Sequence, residues 1–133
     1  MEGANMSRLI IGIMAATMLT SSANAAEWGL VASRTSGDRL YVDADSIARR
    51  ASNIREAWVK TSLQQPWKDG TFKLLDHWRF DCAERKIALL RSMTYDSSDQ
   101  ISLDMTLVPT EIRAVEVVPD TPGEKLLKFA CAH

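Results

Sequence analysis

The stretch TFKLLDHWRFDCAERKIALLRSMTYD, residues 71–96, decides the fold. Between Phe72 and Cys82, the residues Phe72, Leu74, Trp78, Phe80 and Cys82 fall on one side of an extended chain, while Lys73, His77, Arg79 and Asp81 fall on the other. A period of two marks a strand with one buried face. Asp76 breaks the apolar side and Leu75 the polar side. Ala83-Glu84-Arg85 reads as a tight return, and Lys86 to Tyr95 as the partner strand, so the stretch is a long antiparallel hairpin.

On its N-terminal side the same chemistry continues. Glu27 to Arg34 is a candidate strand, closed by the turn cluster Thr35-Ser36-Gly37-Asp38, and Arg39 to Val42 returns beside it. Asp43 to Ala48 has helix-start residues but room for one turn only. Asn53 to Gln65 is a long strand with Ala57, Val59, Thr61 and Leu63 on one face. Pro66 to Thr71 is its loop, with Asp69-Gly70 as the turn signal. After the main hairpin, Ile101 to Val108 and Ile112 to Val118 supply β-branched residues for further strands.

The period then changes. Thr121-Pro122-Gly123-Glu124 has the T-x-x-E form of a capping box, with proline at the first helical position. Leu127, Ala130 and Cys131 recur three and four apart, with Leu126 and Phe129 beside them, and Glu124, Lys125 and Lys128 take the wet side. A helix this short is marginal alone and needs docking. Cys82 and Cys131 are the chain's two cysteines. In an exported chain such a pair reads as a disulfide. It would pin helix to sheet and close a loop of about 50 residues. A metal site made of Cys82, Cys131, His77 and His133 is the competing reading, although no C-x-x-C or H-x-x-x-H spacing supports it.

Export itself is read at the N-terminus. Arg8, the apolar run Leu9 to Leu19 and Ala23-Asn24-Ala25 follow the order of a secretory signal, so residues 1–25 are expected to be cut off after Ala25. The apolar run is too short to span a bilayer, which takes about 20 residues. Met6 is an alternative start to Met1. No cysteine near the cut offers a lipid attachment point. Residues 26–133 are then one small domain, expected in the periplasm or secreted. Loss of Arg8 and Glu2 together leaves the net charge at −1. That balance excludes nonspecific nucleic-acid binding, which needs an excess of lysine and arginine.

No catalytic motif is present: there is no G-x-S-x-G, H-E-x-x-H or glycine-rich phosphate loop. Asp43 and Asp45 fit turn chemistry better than a carboxylate pair. The expectation is a binding protein that is not an enzyme and uses no cofactor or metal. Trp28, Trp58 and Trp78 lie in strands and read as packing residues. Trp67 lies in a turn between Pro66 and Lys68, where an aromatic is available as an interface anchor. With Lys68, and with Arg85, Lys86 and Arg91 of the main hairpin, it makes the candidate binding set. The alternative is a periplasmic small-molecule or enzyme site, for which Asp76 and His77 are the residues to inspect.

Three segments carry a resemblance. WRFDCAERKIALLRSMTYD (Trp78 to Asp96), YVDADSI (Tyr41 to Ile47) and VPDTPGEKLLKFAC (Val118 to Cys131) together resemble the surface-adhesin protein E family, in the same order and across the chain that follows the signal. The resemblance implies an α+β domain: an antiparallel sheet of about six strands with a C-terminal helix disulfide-linked to it. It also implies a protein partner, such as a host matrix or serum protein or another envelope protein, and is compatible with a homodimer. The missing lipid-anchor cysteine is a departure from the family's namesake. This chain is expected to be untethered, and adhesion need not be its task.

Overall fold

The alternating hairpin forms the middle of the sheet in the computed structural model, which describes residues 26–133; the expected signal segment lies outside the described residues. Its two long strands are β5 (Thr71–Asp81) and β6 (Lys86–Asp96). Before them come β1 (Trp28–Ser33), β2 (Arg39–Asp43), β3 (Ala48–Ala51) and β4 (Ile54–Ser62). After them come β7 (Ile101–Thr106), β8 (Ala114–Glu116) and the helix α1 (Pro122–Cys131). The main path runs β1-β2-β4-β5-β6-β7, with β3 added beside β4 and β8 beside β6. Every pairing is antiparallel. The expected strands are the main path and β8, which lies within the Ile112 to Val118 segment. Only β3 among these strands escapes a periodicity reading: it is Ala-Arg-Arg-Ala with no apolar alternation.

One face of the sheet carries the helix. Ala57, Val59, Thr61 and Leu63 of the β4 segment are all buried, as their alternation requires. Ala57 and Val59 join Leu40, Val42 and Phe80 beneath Leu126, Leu127 and Ala130 of α1. Arg55 extends the same alternation and is also buried. Its Nη1 donates to the carbonyls of Ala51, Ser52 and Ile54, holding the β3–β4 turn, while Nε has no partner. Phe72, expected on the apolar face, is instead 42% exposed: it is the extra residue of a bulge, and its neighbour Thr71, paired with Asp96, takes the buried position.

The disulfide reading holds: Cys82 and Cys131 are bridged, with Cα atoms 5.8 Å apart. Bridged sulfurs are not available as metal ligands, so the competing metal reading is set aside. The capping-box expectation is corrected. Pro122 opens the helix, but the Thr121 hydroxyl donates to the Val118 carbonyl at 2.6 Å and does not cap the helix N–H groups. Glu124 instead accepts from the Asp120 N–H, Lys128 and Arg85. The spacing was right and the rotamer was not.

Two β-bulges shape the hairpin. One lies between Thr71 and Lys73, and the other lies opposite the step from His77 to Trp78, where Leu90 is the extra residue. The second lets Asp76 pair with Ser92 while Trp78 pairs with Leu89. It adds one residue to one strand only, which bends the strand and increases its twist.

Candidate functional site: the helix-free face

Side chains alternate across a strand, so every residue flanking the core positions points away from α1. Cross-strand register then sets them in rows. Tyr41 is opposite Lys60, Lys60 opposite Leu75, and Leu75 opposite Met93. In the next row Trp58 is opposite His77, which is opposite Arg91. The Trp58 and His77 rings stack at 4.8 Å, and the Arg91 guanidinium lies 5.9 Å from the Trp58 ring. Lys60 Nζ sits 4.9 Å from the Trp28 ring and 4.8 Å from the Tyr41 ring. Lys73 lies over Tyr95 at 4.6 Å. The face is thus paved with aromatic rings capped by cations, an attraction that strengthens as water is excluded.

Most of these cations have anionic partners. Arg91 is bidentate to Asp104, whose carboxyl is held below its ordinary pKa by that hydrogen bond. Lys73 meets Asp99 at 2.6 Å, and Glu56 lies between Arg50 and Arg79. Lys60 forms no ion pair among the described residues. His77 is pushed below its ordinary pKa, first by burial and then by Arg50, Arg79 and Arg91, with Glu56 acting in opposition. It is therefore neutral at physiological pH.

The sequence-derived candidates do not form one cluster. Trp67 (47% exposed) and exposed Lys68 lie in the β4–β5 turn, where Gly70 takes a positive φ and donates to the Trp67 carbonyl. Arg85 and Lys86 lie at the opposite end of β5, about 33 Å away at roughly 3.3 Å per residue. Arg85, its side chain 50% exposed, meets Glu124 through Nη2 at 2.6 Å, tying the hairpin turn to the helix. Arg91 lies between the two ends, on the paved face. Sequence reading took Trp28 and Trp58 as packing residues and missed the face they share with Tyr41 and Lys60. Only cross-strand register brings these four together.

Asp76 and His77 are adjacent on β5 and therefore point to opposite faces, so they cannot share a catalytic centre. Asp76 faces the helix side and accepts from Ser92 Oγ at 2.5 Å. Burial raises its pKa, opposed by the Ser92 hydrogen bond and by Arg34. A raised folded-state value means the native state holds the proton more tightly than the unfolded chain does. The ionised group therefore costs stability above its folded pKa, and the cost fades as pH falls toward the ordinary 3.8. Asp76→Asn is expected to raise the melting temperature at pH 7. The gain should close as the medium is acidified below the ordinary carboxylate range, which thermal melts across pH will check.

Similarity to known proteins agrees with this architecture. A family model for surface-adhesin protein E matches residues 28–132. The chain belongs to that family. Solved structures of Haemophilus influenzae protein E share the fold: one aligns with a TM-score of 0.56 at 15% identity, covering 81% of this chain and 86% of that one. The selenomethionine form of protein E aligns with a TM-score of 0.54 at 15% identity, covering 81% and 92% respectively. Comparison with curated proteins gives no match. Among the described residues of this adhesin-family chain, no helix is long and apolar enough to cross a membrane.

Proposed function

We propose that this chain is an exported, adhesin-like protein-binding module without catalytic activity, and that its partner docks on the helix-free face. The signal-like residues 1–25 and the disulfide support an extracytoplasmic site, periplasmic or secreted. One observation carries the docking reading: among the described residues, Trp28, Tyr41 and Trp58 lie on a sheet face that α1 does not cover, beside Lys60, a cation held by rings and by no carboxylate. Tryptophan, tyrosine and neighbouring cations are the composition of interface hot spots. The partner is a protein: a host matrix or serum protein, another envelope protein, or a second copy of this chain.

Trp67 and Lys68 stand at one end of this surface, with Arg85 and Lys86 at the other. A standard interface covers about 800 Å² per partner, roughly 28 Å across, so a compact partner reaches the middle and one end only. The test is capture from envelope and host-matrix fractions with exported protein, followed by affinity measurement on the captured species. Trp58→Ala should cost 2 kcal/mol or more, the rough threshold for a hot spot, with the melting temperature little changed. Trp67→Ala and Lys86→Glu show which end contributes. Full retention of affinity by Trp58→Ala and Lys60→Ala would remove the face from the site.

A further inference from the structure

The side of the sheet opposite that face holds a second feature. Between the first turn of α1 and the strands lies a cleft of about 260 Å³. At about 30 Å³ per water it has room for roughly nine, the size of a small metabolite. Its walls are apolar, from Leu40, Val59, Trp78, Ile87 and Leu126. Two opposite charges also line it: Asp76 from mid-β5, and Arg34 from the exposed end of the β1 segment. They are close enough for Arg34 to favour ionised Asp76, yet they form no ion pair among the described residues.

A carboxylate on an apolar wall costs desolvation energy unless a cation meets it. Ser92 fills one of its acceptor positions and fixes the carboxyl's orientation. Arg34 carries a planar fork that matches a carboxylate with two parallel hydrogen bonds. Opposite charges held apart over one apolar cavity are complementary to a zwitterion with an apolar body. A simple amine would use Asp76 alone, and a fatty acid Arg34 alone. We propose that this cleft binds a free apolar amino acid, with its ammonium on Asp76, its carboxylate on Arg34 and its side chain between Trp78, Val59 and Leu126. Binding here is independent of the helix-free face.

The experiment is an amide-resolved NMR titration of isotope-labelled exported protein with L-leucine. Leucinamide and 4-methylpentanoate serve as probes, each lacking one of the two charges. Leucine should give saturating shifts around Leu40, Asp76, Ser92 and Gly123, with an affinity about tenfold or more above either probe. Arg34→Ala, an exposed change that leaves the core intact, should reduce leucine to the level of leucinamide. Asp76→Asn should reduce it to the level of 4-methylpentanoate. Equal affinity for leucine and either probe, unchanged leucine binding in Arg34→Ala, or no shifts at the cleft at millimolar leucine would each overturn the assignment.

Discussion

Cys131→Ala is expected to lower the unfolding free energy by about 4 kcal/mol, because it releases a crosslink between residues 49 apart in sequence. A domain of this size is stable by roughly 5–15 kcal/mol, so the loss takes a large share of the total. The cause lies in the helix. Its ten residues are too few to persist alone, and its contacts with the sheet come from Leu126, Leu127, Ala130 and the sulfur bridge. Denaturant melts of wild type and Cys131→Ala measure the difference. Alkylation of exported wild-type protein without reductant should add no label, and with reductant it should add two. Free labelling of both thiols in exported protein would mean that the helix is held by packing alone.

Phe80→Ala should cost about 3–5 kcal/mol, whereas Phe72→Ala, on the same strand, should cost less than about 1 kcal/mol. Phe80 is fully buried beneath the helix; Phe72 is the extra residue of the bulge between Thr71 and Lys73 and is 42% exposed. Truncating the first leaves a cavity that rigid neighbours cannot fill, while truncating the second exposes little new surface. Chemical denaturation of the two variants measures the difference. Equal losses at both positions would mean that the bulge does not turn Phe72 out of the core.

These two residues also mark the limit of what the sequence discloses. Alternation in β4 and β5 told buried from wet sides, and it was right at Ala57, Val59, Thr61, Leu63 and Phe80 because a period of two follows from strand geometry alone. It placed Phe72 inside because alternation does not disclose a bulge, and the one at Phe72 gives the buried position to Thr71. The cysteine pair and the 3.6 period of α1 were legible for similar local reasons. The paved face was not. Trp28, Tyr41, Trp58 and Lys60 come from three strands, and only their register makes them neighbours. The pairing of Arg85 with Glu124 was not legible either, because the two lie 39 residues apart. The cleft residues Arg34 and Asp76 are likewise far apart in sequence; Asp76 stood out as an interruption of an apolar pattern and as a small-molecule candidate beside His77, but nothing in the sequence joined it to Arg34.

The bulge at Leu90 has a consequence of another kind: it works as a reading-frame change written into a folded strand. Before it, the odd-numbered Ile87 and Leu89 face the helix; after it, the even-numbered Ser92 and Thr94 do. Removing Leu90 would leave Leu89 followed directly by Arg91, a regular alternation that keeps Leu89 opposite Trp78 and Arg91 opposite His77. What would go is the bend, together with the Leu90 carbonyl that accepts from the Leu107 N–H. The strand can therefore lose this one residue with both of its faces still in frame.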